Sequence, residues 1–246
     1  MELLAVKGLS KTYKANEQKA LDNVQLSLES DMITGLLGPN GAGKSTFINI
    51  ISGLLKADSG TIYWKGETLK NHKNLKQYLG LVPQGIALYP KLTAFENLDF
   101  LGTQYGIAKK ERHERIKEYL NALGLYNKRT QLVQHYSGGM KRRINLIAGL
   151  LHHPELLIMD EPTVGIDVQS KQAIHDFLID LNKTGMSMLY TSHMMEEAEK
   201  ICHRVAIIDH GKILVYDSPK KLIENTSGAE SLEDVYIQIT GKELRD

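Results

Sequence analysis

The sequence predicts an α/β fold in which an antiparallel β subdomain at the N-terminal end precedes an α/β core interrupted by an inserted α-helical subdomain. Three observations support this prediction. Residues 2–9 and 20–29 have the pattern of half-buried strands separated by a polar loop. Short apolar runs then alternate with helical patterns. Residues from about 92 to 152 show helical patterns and no convincing strand.

The core elements follow in order along the chain. The apolar run Ile33–Leu37 leads through a glycine-rich segment into a helix, predicted from apolar residues at i, i+3, i+4 and i+7: Phe47, Ile50, Ile51 and Leu54. Further core strands are predicted at residues 156–159, 186–191, 205–209 and 212–216. Ser218-Pro219 begins a short last helix, and the polar tail from about residue 226 is expected to be loosely held.

Composition excludes several classes of protein. The 246 residues include 30 Lys+Arg and 29 Asp+Glu, and the net charge of +1 argues against a nucleic-acid-binding surface. A single cysteine, Cys202, excludes an internal disulfide framework and suits a reduced thiol in the cytosol. Because no run of 18 apolar residues occurs, we expect any work at a membrane to depend on a partner.

The glycine-rich segment fits the phosphate-loop pattern, in which Gly38 is followed by Gly43, Lys44 and Ser45. Its glycines let backbone N–H groups close around phosphate oxygens, and the helix that follows adds its positive dipole end. Lys44 is expected to neutralise the β- and γ-phosphates, and the Ser45 hydroxyl to bind Mg²⁺. The alternative is a glycine-rich turn with a stray lysine. The position between a strand and a helix favours the phosphate loop, and with it a P-loop NTPase core.

Two adjacent carboxylates, Asp160 and Glu161, end the apolar run that starts at Leu156. Ligands in such folds bind beyond the carboxyl ends of the strands. Asp160 is therefore predicted to hold Mg²⁺, directly or through water, and Glu161 to orient or deprotonate the attacking water. An exposed acidic strand end is the alternative interpretation.

The turn Ser137-Gly138-Gly139 precedes a helix and offers a hydroxyl, free backbone donors and a dipole end to an anion. It is equally compatible with a plain helix cap. One phosphate loop has no need of a second anion site in the same chain, whereas a head-to-tail pair of chains does. This turn is therefore predicted to act on the nucleotide of a partner chain.

Three further candidates are less specific. His193 follows a predicted strand and can donate a hydrogen bond to the γ-phosphate, although a lone histidine is more often structural. Gln84 lies where the core meets the helical segment, and its side chain can contact Mg²⁺ or water. The alternative is an ordinary loop amide. Tyr13 can stack on a nucleotide base or simply pack.

From about residue 2 to 225 the chain resembles the ATP-binding subunits of ABC transporters. The motif GPNGAGKST matches their Walker A loop, which comprises Gly38, Pro39, Asn40, Gly41, Ala42, Gly43, Lys44, Ser45 and Thr46. The motif LLIMDEP matches Walker B, and Ser137-Gly138-Gly139 matches the signature motif. Asp167 matches the D-loop, which in the family contacts the other subunit.

The other matches assign roles by resemblance. Gln84 matches the Q-loop glutamine, His193 the switch histidine and Tyr13 the adenine-stacking aromatic residue. The signature departs from the usual LSGGQ, because Tyr136 replaces leucine and Met140 replaces glutamine. The YSGGM-KRR form and the segment TSHMMEEAE resemble the ATPases of ABC-2-type exporters.

The resemblance implies a Mg²⁺-dependent ATPase. Its RecA-like ATP-binding domain would cover residues 1–225, and a tail would cover residues 226–246. The resemblance also implies a homodimer, or a pseudo-dimer with a second ATP-binding subunit, that drives export through a separate transmembrane permease subunit at the cytoplasmic face of the membrane. No nucleic acid partner is expected. Two alternatives remain: a soluble ABC-type ATPase acting on nucleic acid or ribosomes, and a nucleotide sensor without turnover. Glu161 and His193 argue against the sensor.

Overall fold

The computed structural model describes residues 1–13, 19–69 and 75–241, and within them the strands form two sheets. The first sheet is antiparallel, with the order β2-β1-β4-β5. Its strands are β1 (Glu2–Thr12), β2 (Lys19–Glu29), β4 (Ser59–Trp64) and β5 (Glu67–Thr68). It is the predicted N-terminal antiparallel subdomain, in which the sequence patterns predict β1 and β2 but not β4 and β5.

The second sheet has the order β10-β9-β3-β8-β7-β6 and is parallel except for the pairing of β9 with β10. Its strands are β3 (Ile33–Leu37), β6 (Leu79–Val82), β7 (Leu156–Asp160), β8 (Ser187–Ser192), β9 (Arg204–Asp209) and β10 (Lys212–Asp217). Strands β3, β7 and β8 are buried along their whole length, which explains their continuous apolar runs. The carboxyl ends of β3, β6, β7 and β8 meet at one edge of the sheet.

The helices cover both faces of this sheet. They are α1 (Lys44–Ile51), α2 (Ala94–Gln104), α3 (Lys109–Ala122), α4 (Gly138–Leu150), α5 (Val168–Lys183), α6 (Met195–Ile201), α7 (Pro219–Glu224) and α8 (Leu232–Thr240). Helices α2 to α4, with two short 3₁₀ turns, occupy the predicted helical segment.

Two apolar cores hold these layers together. One core lies between the two sheets and takes in α1, whose Phe47 and Ile51 are fully buried against strands of both sheets. The other lies on the opposite face of the parallel sheet and includes α4, α5, α6 and α8. Because α1 is wedged between the sheets, its N-terminal end is held rigidly at the carboxyl edge of β3.

Two sequence-based expectations are wrong. Helix α1 ends at Ile51 and not after Leu54, because Gly53 takes a φ of 73° and leaves Leu54 61% exposed. The tail is not loosely held up to residue 241. Helix α8 packs against α6 and α7 and buries Leu232, Val235 and Tyr236 completely. Residues 242–246 of the predicted tail lie outside the described residues.

Candidate functional site

The phosphate-loop segment connects β3 to α1 and lines a cavity of about 270 Å³. The other lining residues are Tyr13, Ala20, Gln84 and Glu161. The backbone N–H groups of the first turn of α1 have no partner within the helix, and this end of the helix is positive. The cavity is therefore suited to an anion, above all to a phosphate chain.

Two of the loop glycines are required by close approach. A Cβ on Gly38 would lie 2.1 Å from the carbonyl oxygen of Ile208 in β9. Gly43 has a φ of 113°, and a Cβ there would lie 2.5 Å from the carbonyl oxygen of Ala20. Any side chain at either position would collide with backbone, so these residues hold the loop against both sheets.

Lys44 lies at the wall of the cavity and is only 5% exposed. Its Nζ donates to the carbonyl oxygens of Gly38, over 2.7 Å, and Pro39, over 3.2 Å. The same atom lies 3.2 Å from Oε1 of Glu161. The ammonium is thus held beside the loop, where a phosphate oxygen can replace the carboxylate as its anionic partner.

Asp160 is the last residue of strand β7 and Glu161 follows it, and both are buried. The hydroxyl of Thr191 in the neighbouring strand β8 donates to Oδ1 of Asp160 over 2.9 Å and accepts from the backbone N–H of Glu161 over 3.0 Å. Glu161 has a φ of 49°, a left-handed conformation that is rare for a residue with a side chain. The hydrogen bond from its N–H supports this backbone conformation.

Three predicted site residues converge on the Glu161 carboxylate. His193 follows β8, and its Nδ1 lies 3.2 Å from Oε1. Gln84 follows β6, and its Nε2 donates to Oε2 over 3.1 Å. Lys44 completes the set. The sheet edge therefore gathers side chains from four loops around one carboxylate, as expected for the carboxyl end of a parallel sheet.

Tyr13 follows the last residue of β1 and lines the same cavity. Its hydroxyl is within 3.4 Å of Oγ1 of Thr46, and its side chain is 42% exposed. An exposed ring beside the phosphate loop can stack on the base of a bound nucleotide.

The turn Ser137-Gly138-Gly139 is not among the described residues that line the cavity. Ser137 caps α4, and its hydroxyl accepts from the backbone N–H of Met140 over 3.3 Å. Gly139 packs so closely on α5 that a Cβ would lie 2.1 Å from Oγ of Ser170. This turn therefore packs against the start of α5 and does not line the cavity that Lys44 lines.

Asp167 likewise lies away from the cavity, where it caps α5. Its Oδ1 accepts from the backbone N–H of Ser170 over 2.8 Å, and this hydrogen bond holds the pKa of Asp167 below its ordinary value. Met140, which replaces the usual glutamine, is buried in the apolar core. Its side chain therefore does not reach outward as a polar group would.

Sequence analysis missed two residues of α4 that hold the loop around Gln84. Arg142 donates to the carbonyl oxygen of Gln84. Asn145 donates to the carbonyl oxygen of Pro83 over 3.2 Å and accepts from the N–H of Ala87 over 3.1 Å. Burial lowers the pKa of Arg142, and the Glu161 and Asp160 charges oppose this shift. The signal in the sequence is a pair of polar residues at i, i+3 on the otherwise apolar face of α4.

Within residues 1–13, 19–69 and 75–241, no helix combines the length and the apolar character needed to span a bilayer.

Comparisons with known proteins agree with this site. The family model described as ABC transporter matches residues 21–164. The linearmycin resistance ATP-binding protein LnrL of Bacillus subtilis (strain 168) is 46% identical over 239 residues, which cover 97% of this chain and 75% of that protein. The Nod factor export ATP-binding protein I of Ralstonia nicotianae is 36% identical over 232 residues, or 94% and 72% of the two chains.

A solved structure gives the same fold. It is described as the dimeric, post-hydrolysis state of an ATP-binding cassette bound to ADP and phosphate, and it has a TM-score of 0.80 and 27% identity to this chain. The match covers 88% of this chain and 98% of that one. With the family match and the relatives above, these similarities show that the chain belongs to the ABC transporter family, as an ATP-binding subunit with ATPase activity.

Proposed function

We propose that two chains, or this chain and a second ATP-binding subunit, bind ATP between them head to tail and drive export through a separate membrane subunit. The observation that carries this proposal is the separation of two anion-binding features. Lys44 and Glu161 lie at the cavity, whereas the exposed Ser137 turn lies outside it and packs on α5. A turn that is held away from its own nucleotide is available to the nucleotide of a partner.

In this proposal each residue near the cavity has one task. Lys44 neutralises the β- and γ-phosphates. Glu161 orients or deprotonates the attacking water, and its placement between His193 and Gln84 supports this role. His193 donates a hydrogen bond to the terminal phosphate as charge develops on it. Tyr13 stacks on the base.

The donor set also fits Mg²⁺, which prefers oxygen ligands. Asp160 supplies a carboxylate and Ser45 a hydroxyl at the first turn of α1. Because Nε2 of Gln84 faces the Glu161 carboxylate, its carbonyl oxygen is the atom that can bind a cation. When bound, Mg²⁺ would neutralise the charge that develops on the phosphate oxygens.

Within each chain, Ser137, Gly138 and Gly139 are proposed to bind the γ-phosphate of the partner's nucleotide, and Asp167 to contact the partner. The dimeric state of the similar ATP-binding cassette supports this arrangement. Hydrolysis then removes the phosphoryl group that both chains hold, so the dimer opens. Closing and opening are the movements that would drive a membrane subunit.

Export and the membrane partner are supported by two observations. One relative is named as an export protein and another as a resistance protein. In the segment that follows Gln84, the exposed ring of Tyr89 meets the exposed ring of Phe100 on α2, with centroids 5.4 Å apart, and we call this pair the aromatic surface. It lies where the core meets α2, and we propose that it binds an apolar segment of the permease subunit. The chain would then be held at the cytoplasmic face of the membrane.

The proposal is tested with Glu161→Gln, which should bind ATP and fail to hydrolyse it. Loss of a general base costs about 10²–10⁴-fold in rate, so the dimer should persist with ATP and Mg²⁺. Size-exclusion chromatography with light scattering would measure its mass. The control is Lys44→Ala in the same background, which should remain monomeric. A monomer of Glu161→Gln at saturating ATP would contradict the dimer.

A further inference from the structure

Glu197 is a buried carboxylate in the first turn of α6 with polar partners on three other elements. Its side chain is only 6% exposed. Oε2 accepts from Oγ1 of Thr163 over 2.6 Å and from the hydroxyl of Tyr190 over 2.7 Å. Oε1 lies 2.5 Å from Nζ of Lys171, and Nε2 of His175 lies 3.7 Å from Oε2. We call this carboxylate and its four partners the Glu197 cluster. Its contacts specify how the Thr163 turn, β8, α5 and α6 are placed relative to one another.

The charge of this carboxylate is retained inside the protein. Burial acts to raise the pKa of Glu197, but the nearby His175, the ion pair with Lys171 and the hydrogen bonds from Thr163 and Tyr190 outweigh it and hold the pKa well below its ordinary value. Removing the charge of Glu197 would leave the ammonium of Lys171 without its counter-charge, and the hydroxyls of Thr163 and Tyr190 without a charged acceptor.

The cluster holds both strand ends that carry the hydrolytic groups. Thr163 lies two residues after Glu161, in the turn that leads to the D-loop. Tyr190 immediately precedes Thr191, whose hydroxyl bonds Asp160 and accepts from the N–H of Glu161. The position of Glu161 is therefore set from two sides by contacts that lead to Glu197.

Glu197 also connects α5 with the helix that follows His193. It lies four residues after His193, at the start of the helix that this histidine precedes. Lys171 lies on α5, whose first turn packs on Gly139 of the signature turn. One carboxylate thus connects the loop of His193 with the helix that supports the signature turn.

We propose that Glu197 is a positioning residue for ATP hydrolysis, which keeps Glu161 and His193 aligned on one nucleotide while α5 holds the signature turn toward the other. This inference rests on the proposed function, because it assigns Glu161 and His193 to hydrolysis. Glu197 touches no nucleotide in this proposal and acts through Thr163, Tyr190 and Lys171.

The test is Glu197→Gln, which keeps the shape of the side chain and removes its charge. The amide lacks the negative charge that pairs with Lys171 and has only one accepting oxygen, so the Thr163 turn and α5 should shift relative to α6. A displacement of about 1 Å at a reacting group costs up to about 100-fold in rate. We expect kcat to fall at least tenfold, while the Kd of ATP by calorimetry changes less than about threefold.

The matched control is Glu196→Gln on the same helix, where an exposed carboxylate pairs with Lys200 over 2.6 Å. It should leave kcat and KM unchanged. Thermal unfolding of each variant separates positioning from stability, because a purely structural role lowers Tm without lowering kcat below Tm. Wild-type kcat in a folded Glu197→Gln protein would overturn the inference.

A second variant, Thr163→Val, keeps the test decisive if Glu197→Gln does not fold. It removes one hydroxyl and preserves the side-chain shape. We expect kcat to fall severalfold, and in the double variant the two losses should not add, because both break the same contact. Unchanged kcat in Thr163→Val, or additive losses, would overturn the inference. Wild-type turnover and the Glu161→Gln dimer are unaffected by either outcome, so the proposed function is judged separately.

Discussion

The side-chain amide of Gln84 donates a hydrogen bond to Oε2 of Glu161 over 3.1 Å. The backbone carbonyl oxygen of the same glutamine accepts from Arg142 in α4. The loop between β6 and the helical subdomain is therefore attached at one point to the proposed catalytic carboxylate and at another to the helix that begins at the signature turn. A movement of α4 would therefore displace Gln84, whose side chain contacts Glu161 directly.

Gln84→Ala should lower ATP turnover with a smaller effect on ATP affinity. It removes one hydrogen bond to a charged group, which is worth about 1.5–3 kcal/mol, so kcat should fall about tenfold or more. Steady-state kinetics and calorimetric titration would measure the two quantities. Gln104→Ala, an exposed glutamine at the end of α2, is the control. Unchanged kcat would show that the contact with Glu161 does not serve hydrolysis.

Lys44→Ala should weaken nucleotide binding itself. Nζ of Lys44 is already held by the carbonyl oxygens of Gly38 and Pro39, so it meets the phosphates at little cost in entropy. Losing its charge-assisted bonds should raise the Kd of ATP about 10- to 100-fold. The exposed Lys56→Ala serves as control. An unaltered Kd in a calorimetric titration would refute the role of Lys44.

The positions of the site loops were predictable because parallel strands share one carboxyl edge. Short apolar runs predict β3, β7 and β8, whereas β6 is not predicted and Gln84 is placed only where the core meets the helical segment. The convergence of the four segments follows from the topology. The contacts between those segments were not predictable in the same way. Gln84 and Arg142 are 58 residues apart in the sequence, and their hydrogen bond depends on how α4 packs against β6.

Glu197 shows a second limit of sequence reasoning. Its segment MMEEAE contains three glutamates, and the sequence does not indicate which of them is buried. Glu196 pairs with Lys200 at the surface, whereas Glu197 turns inward to Tyr190 and Thr163. Which carboxylate is buried depends on the rotation of α6 against the sheet, and a helix of seven residues has too few turns to reveal it.

His193→Ala should lower turnover more than affinity. His193 is partly exposed beside Glu161, with Nδ1 3.2 Å from Oε1, so its other nitrogen can donate to a terminal phosphate. Removal of a donor to developing charge costs about 100- to 1,000-fold in kcat. His193→Gln, which keeps an N–H donor, should recover part of the rate. Equal losses in kcat and in ATP affinity would instead indicate a structural histidine.

Tyr89→Glu should weaken association with the membrane subunit without changing the ATPase activity of the isolated chain. Tyr89 is 51% exposed and meets Phe100 edge to face, with ring centroids 5.4 Å apart, so a charge here disrupts the aromatic surface. Co-purification with a co-expressed candidate permease subunit would measure binding. Leu214→Glu, an exposed apolar position on β10, is the control. Equal co-purification of both variants would exclude this surface.

Leu232→Ala should destabilise the whole domain, although it lies in the segment expected to be loose. Leu232, Val235 and Tyr236 recur at i, i+3 and i+4, and all three are fully buried against the core that includes α6. The backbone N–H of Leu232 also donates to Glu199 of α6 over 3.2 Å, so α8 supports the helix that follows His193.

A buried Leu→Ala change costs about 2–5 kcal/mol, and urea unfolding should show a loss of that size in the free energy of unfolding. Ile239→Ala, whose side chain is 39% exposed on the same helix, should cost much less. Similar small losses for both variants would mean that α8 is only loosely attached. A large loss for Leu232→Ala alone would make α8 part of the same folding unit as α6, the helix that follows His193.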